Sequence, residues 1–373
     1  MTFLNRLPKP FFVLPPMDDV TDTVFRQIIA DLPYPERLDE AQGGGEQRTE
    51  MYGKSTSKEQ SQPVTQRFAK RASGVAGSAG QQVSPAHRYG PDFYMTEFVN
   101  VDGLQSPGRE KLLKKLRFTD KEQPIVAQLW GTKPENFYKT VKEIKQMGFD
   151  GVDLNFGCPV KNVIKAGACA ALINNRELAG EIIEASREAA GEDFPVTVKT
   201  RVGFTTTDMS WIEFLLSKKL DLLSIHGRTA KQLSKVPPNW DLIGQARELR
   251  DVLCPTTLIV GNGDVMSRSQ GLELAKKYQL DGIMVGRGIF EDPFLFAIPL
   301  DSGSPWGDYT REQRIDLFRK HIELFANTWK NGERRVETLN KFCKVYISDF
   351  SGAKELREQL MKARSADELL RML

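Results

Sequence analysis

Histidine and cysteine are scarce in this chain, three and four in 373 residues. The cysteines, Cys158, Cys169, Cys254 and Cys343, form no C-x-x-C pair, so neither a disulfide framework nor a zinc site is indicated and no metal is expected. A reducing, cytoplasmic setting is the corresponding expectation. Long apolar runs are missing too. The opening MTFLNRLPKPFFVLPPM is too short and too proline-rich for a signal peptide, and no window nears the roughly 18 apolar residues of a membrane span. Charge of one sign is also lacking: the net of +3 is too small by itself to imply a nucleic-acid partner. The small excess sits late in the chain, where 14 Lys and Arg face 10 Asp and Glu from Arg311 onward, against 38 and 39 elsewhere.

What the chain does have is 40% hydrophobic and 27% charged residues, enough for one large globular domain and a smaller one, expected as a monomer. Eight short apolar runs recur at 11–17, 92–98, 124–131, 151–157, 195–201, 222–228, 256–263 and 282–288. Stretches of helical period lie between them, such as KPENFYKTVKEIKQMG, NRELAGEIIEASREAAG and SRSQGLELAKKYQ, several closing at glycine. Eight strand–helix units predict an α/β fold, the TIM (β/α)8 barrel. A doubly wound sheet shows the same alternation, but it needs no eight units and favours a glycine-rich first turn, where this chain has PPMDD. Barrel function gathers at the C-terminal ends of the strands. Met17, Glu97, Gln128, Asn155, Lys199, His226, Asn262 and Arg287 all fall at or just past the end of a run.

Two regions stand outside this pattern. Residues 34–91 are rich in Gly, Ser and Gln without a sustained period, and read as a flexible insertion or a substrate-gripping arm between the first two strands. From about residue 306 the pattern is helical, with Ile315, Phe318, Ile322, Phe325 and Trp329 on one stripe. The expected organisation is a barrel domain over 1–305 and a helical domain over 306–373.

Several residues are candidates for chemistry. Lys199 and Arg201, two apart on one strand, share a face directed into the barrel, where they form either a salt-bridge layer or a site for phosphate or an electron-rich ring. GNGD (261–264) and GRG (286–288) end strands seven and eight, where barrels bind phosphate, although an Asn-Gly pair can be a plain turn. His226, in HGRT, is either a satisfied rim side chain or a donor to a flavin carbonyl. Glu97 and Gln128 are compatible with polar recognition. Cys158, in GVDLNFGCPVKN, follows a glycine and precedes a proline where a strand gives way to a loop. That is an unusual setting for a structural thiol; with no histidine near it in sequence it leaves room for a general acid, while a plain structural thiol stays open as the alternative.

Together the motifs resemble one family, the flavin-dependent tRNA-dihydrouridine synthases. The matches are PPMDDVTDTVFR (15–26), TEFV (96–99), VAQLWG (126–131), LNFGCPVKNVIKAGA (154–168), VKTRVG (198–203), HGRT (226–229), NWDLI (239–243), GNGDV (261–265) and MVGRGIFEDPFLF (284–296). The resemblance implies FMN at the barrel mouth, with Pro16, Met17 and Asp18 along the ring and Gln128, Lys199 and His226 as polar partners. Asn262, Gly263, Asp264, Gly286 and Arg287 would hold the phosphate end. It further implies NADPH as reductant, hydride transfer to C6 of a uracil in tRNA, and Cys158 as the acid that protonates C5. Asn155 and Arg201 would border the base, and Arg228 would lie near RNA backbone or phosphate. The uridine must leave its stack, and Arg314, Arg319, Lys320, Arg334, Arg335, Lys341 and Lys344 of the helical tail are the candidate phosphate contacts.

The chain departs from the family pattern at Pro15, where alanine is usual, at Asn162, where a second basic residue is common, at Cys169, where glycine is usual, and in the insertion. A flavin oxidoreductase acting on a free pyrimidine or dihydroorotate is the enzymatic alternative, and an RNA-binding factor on a barrel scaffold the non-enzymatic one.

Overall fold

A computed structural model describes residues 2–32, 90–297 and 304–373. Eight parallel strands form the centre: β1 (Phe11–Leu14), β2 (Phe93–Met95), β3 (Ile125–Trp130), β4 (Gly151–Phe156), β5 (Val196–Arg201), β6 (Leu222–His226), β7 (Leu258–Asn262) and β8 (Gly282–Met284). Each pairs with the next, and β8 returns to β1 with Phe12 opposite Ile283, so the sheet closes into the expected TIM barrel and leaves no barrel edge unpaired. All eight strands arise inside the predicted runs. Helices Pro134–Gln146, Arg176–Ala190 and Arg268–Tyr278 stand where the periodicity put them. One short pairing was not anticipated: Val99 and Asn100 lie against Leu129 and Trp130, extending the rim beyond β2. Of the predicted insertion, only Gly90 and Pro91 are among the described residues.

The pleat sorts each strand into two faces. Phe11, Val13, Phe93, Met95, Val126, Leu222, Val260 and Met284 fill the barrel interior together with Phe3 and Leu4. Phe12, Leu14, Val152, Leu154, Val198, Leu223, Ile225 and Ile283 pack outward in the larger core. Further along, the inward positions turn polar. Strand register sets Gln128 beside Asp153 and Asp153 beside Thr197; one pleat on, Asn155 lies beside Lys199, and then Arg201, His226 and Asn262 follow in line. An apolar plug thus supports a polar mouth.

The C-terminal helices are Arg311–Thr328, Asn340–Tyr346, Ala353–Leu360 and Ala366–Met372. The predicted stripe of Ile315, Phe318, Ile322, Phe325 and Trp329 is buried, and the long helix packs on the helix Thr23–Ala30 that follows β1. Phe25 of that helix lies 4.9 Å from Phe342 between ring centres. A polar latch joins the same surfaces. Arg334 reaches Glu97 past the end of β2 and approaches Asp22 and Asp19 after β1, while Trp329 Nε1–H donates to Asp22 at 3.1 Å. Burial pushes the Glu97 carboxyl up and the Arg334 charge opposes that shift. Glu97 therefore holds the C-terminal helices against the barrel, and the cavity described below does not use it.

Arg334 and Glu97 are both buried, so Arg334→Ala strands a carboxylate without its cation, and unfolding in urea should show a loss of about 3–5 kcal/mol. Adding Glu97→Gln should recover much of that loss, because the orphaned charge is then gone. A loss under about 1 kcal/mol for the single variant would mean the latch behaves as an ordinary surface pair.

Candidate active site

A cavity of about 380 Å³ opens at the C-terminal ends of β5 to β8, a size suited to a small-molecule site. Pro15, Pro16 and Met17 give it an apolar side. Lys199, Arg201, His226, Asn262, Gly263, Asp264, Gly286 and Arg287 make its polar wall, and Pro159, Arg228, Leu233 and Ser234 complete the rim. Most residues expected at the cofactor are thus together, with two exceptions. Asp18 is exposed in an ion pair with Lys115, because the turn that hydrogen-bonds Val20 and Thr21 back to the Met17 carbonyl carries it outward. Gln128 is fully buried one pleat deeper than Lys199, where its amide is already bonded to Asp153 and Asn155.

Lys199 and Arg201 project into the cavity from alternate positions of β5, as their spacing predicts. The Lys199 amine donates to Asn262 Oδ1 at 3.3 Å, and burial, then the charge of Arg201, pushes it down to about 8. It remains a cation at neutral pH. His226 is pushed to about 2, first by burial and then by Lys199, Arg201, Arg228 and Arg287, so it is neutral. Its Nε2 lies 3.2 Å from the Arg228 guanidinium, which can only donate. Nε2 is therefore the acceptor, and the proton sits on Nδ1.

Arg228, expected near RNA backbone or phosphate, lines the cavity at the Arg287 end and acts there as a brace. Its buried guanidinium bonds Asp264 with both terminal nitrogens, one at 3.0 Å, and Asp264 also binds Arg287. The Arg228 hydrogen bond holds the Asp264 carboxyl below its usual range. Asp264 in turn aims Arg287, whose side chain is 59% exposed, at this end of the cavity. Gly263 has a φ of 144°, and a Cβ there would lie 2.6 Å from Pro238, so only glycine lets the chain pass.

The thiol loop begins where β4 ends. Asn155, expected at the substrate base, is turned under it: Oδ1 accepts from the backbone N–H of Gly157 at 3.1 Å and of Cys158 at 2.9 Å. Arg201 Nε donates to the Gly157 carbonyl at 2.8 Å, and its NH1 group donates to the carbonyls of Thr229 and Leu233, tying this loop to the one after β6. Cys158 is half-buried beside the cavity-lining Pro159. A hydrogen bond from Cys169 draws its thiol down to about 7; the Val160 N–H and Arg201 help, and burial opposes. Cys169 itself is buried at a φ of 53°, a left-handed position that glycine takes more easily, and its own thiol is pushed up by burial.

Sequence reasoning missed Asp153, although the inward period of D-x-N in GVDLNFG pairs it with Asn155. Apart from Arg228, it looked for RNA-facing cations in the tail. Arg314 and Arg334 are buried there in ion pairs with Asp349 and Glu97, whereas Lys320, Arg335, Lys341 and Lys344 are exposed. Further exposed cations lie on the segments that follow β4 and β6: Lys161 and Lys165 come just after the thiol loop, and Lys231 and Lys235 lie on the loop that also supplies the cavity-lining Leu233 and Ser234. Among the described residues, one acidic trio, Asp18, Asp19 and Glu97, comes together, but Lys115, Lys341 and Arg334 already answer its charge.

The family model for dihydrouridine synthase matches residues 13–373. A "probable tRNA-dihydrouridine synthase" of Staphylococcus aureus strain COL is 38% identical over 374 aligned residues, covering 100% of this chain and 94% of the relative. A "probable tRNA-dihydrouridine synthase 2" of Bacillus subtilis strain 168 is 37% identical, with 100% and 95% covered. A match of this length includes every strand of the barrel, the thiol loop and the C-terminal helices, and on it the chain belongs to the dihydrouridine synthase family.

Proposed function

We propose that this protein reduces the C5=C6 bond of specific uridines in tRNA to 5,6-dihydrouridine, using FMN as its bound redox group, NADPH as reductant and Cys158 as proton donor. The observation that carries the reading is a half-buried thiol, Cys158, next in the chain to Pro159, which lines a cationic, half-apolar cavity at the barrel mouth. FMN fits the residues present. Pro16 and Met17 offer an apolar surface to a flat ring, and Lys199 and His226 Nδ1–H offer donors to its electron-rich edge. Gly263 and Gly286 permit close backbone approach, and Asn262 and Arg287 stand at the anionic end. When bound, the flavin supplies the hydride.

The chain's own groups do the rest. Lys199 keeps a positive charge where electron density rises during reduction. Arg201 binds three backbone carbonyls and so fixes the thiol loop against the loop after β6. Cys158 gives its proton to C5, and the thiolate left behind is met by the Cys169 hydrogen bond and the Arg201 charge. A stacked uridine must turn out to reach this cavity, at a cost of a few kcal/mol. The exposed lysines around the mouth, Lys161, Lys165, Lys231 and Lys235, and the exposed tail cations offset that cost through phosphate contacts. They also favour an RNA over a free pyrimidine, which needs no such rim. In this reading the C-terminal helices, 306–373, form the tRNA-binding domain.

Dihydrouridine mapping on tRNA from cells lacking this protein should show loss at defined positions, restored by wild type and not by Cys158→Ala. In purified enzyme that variant should be slower by roughly 10²–10⁴-fold. Because the thiol form is the donor, turnover should fall as pH rises above the Cys158 value of about 7. A rate that keeps climbing past that point argues for another acid. Lys161→Glu with Lys165→Glu should weaken tRNA binding and reduce its salt slope by roughly 1 to 2. Unchanged binding would return the free-pyrimidine reading to first place.

A further inference from the structure

Resting on the reading of Cys158 as proton donor, we propose that Asp153 is a positioning residue for that thiol: it orients Gln128, Gln128 orients Asn155, and Asn155 holds the backbone of the thiol loop. Asp153 is fully buried on β4 and touches neither cavity nor loop. Thr197 donates to its Oδ1 at 2.5 Å and Gln128 Nε2 donates to its Oδ2 at 2.7 Å. Asn155 Nδ2 then donates to Gln128 Oε1 at 2.8 Å, and Asn155 Oδ1 accepts from Gly157 and Cys158.

The order of these bonds follows from the chemistry at the two ends. An ionised carboxylate only accepts, and backbone N–H groups only donate. Two side-chain amides lie between them, each with one accepting and one donating end. One arrangement satisfies every contact: nitrogen toward Asp153, oxygen toward Asn155, nitrogen toward Gln128, oxygen toward the loop. Turning either amide alone sets like ends against each other. Turning both removes the acceptor from the loop and leaves Gln128 oxygen against the carboxylate. Gln128, Asp153 and Asn155 are at least nine-tenths buried, so water cannot freely repair a wrong orientation. A carboxylate at this depth is costly, and holding a fixed amide polarity gives it a reason to be there.

The test reads the thiol directly, by the pH dependence of iodoacetamide alkylation at Cys158 in the free protein, with turnover measured alongside. Wild type should show a midpoint near 7. Asp153→Ala should move it up toward the free-cysteine value of about 8.5, because a loosened loop takes the thiol away from Cys169 and Arg201, and kcat should fall roughly tenfold or more with little change in KM. Asp153→Asn should restore the midpoint, since its oxygen can still accept from Gln128 while Thr197 turns its hydroxyl toward the Val152 carbonyl, 3.3 Å away. If Asp153→Ala does not fold, Gln128→Leu breaks the same chain at its second link and must give the same shift. An unmoved midpoint in the Ala or Leu variant overturns the proposal. So does an Asn variant as shifted as Ala, which would make Asp153 a counter-ion to Lys199 instead. The alkylation readout stands apart from the proposed reaction: if Cys158→Ala still reduces uridine, the reaction reading fails while the midpoint shift can still hold.

Discussion

Polar groups crowded into the mouth of a closed barrel must find partners there, and the rest of this structure is arranged around that need. Parallel strands with a common pleat send every second side chain inward. The deeper inward positions hold Phe, Val, Met and Leu, while the outer ones hold Gln, Asp, Asn, Thr, Lys, Arg and His. Burial makes an unpaired polar atom costly, so most of these groups are tied into a network, with the buried Ser224 hydroxyl an exception, and the networks decide which atoms remain free to meet a ligand. Lys199, His226 and the exposed end of Arg287 are left lining the cavity. Gln128, Asn155, Arg201 and Arg228 are drawn mainly into holding the frame.

The same economy explains the division of labour among the charges. Asp264 stands among the cations of the cavity wall, where two guanidiniums neutralise it and are aimed by it. Glu97 stands at a strand end on the active face, yet it belongs to the latch with Arg334 that joins the C-terminal helices to the barrel. Through that latch and the packing of Phe25 against Phe342, the helices are fixed relative to the mouth. A fixed geometry of this kind is what selecting one uridine in a folded RNA would require.

Much of the fold was legible because it depends on local periodicity. Eight apolar runs and the helical stretches between them needed only the periods of 2 and 3.6, and the tail stripe from Ile315 to Trp329 followed the same rule. The short rim pairing at Val99 was not legible, since two residues carry no period. Among the site residues, Lys199, His226, Asn262 and Arg287 were legible from their position at strand ends. Asp18 lies outside the cavity lining, and the hydrogen bonds of Gln128, Asn155 and Arg228 are made to neighbours in the frame. A strand-end position says that a residue is near the mouth; it does not say which neighbour will take its hydrogen bonds first.

The sequence by itself determined the barrel, its strand ends and the presence of a thiol in an unusual loop, because each follows from residues near one another in the chain. Tertiary structure decided what those residues do to each other. Cys158 lies eleven positions before Cys169 and 43 before Arg201, and only folding brings their groups to its sulfur and draws its pKa down. Asp153, Gln128 and Asn155 come from two strands, and only strand register sets them in contact. Hydrogen bonds and charge act over a few ångströms, so their partners are chosen by packing and cannot be read from position in the chain.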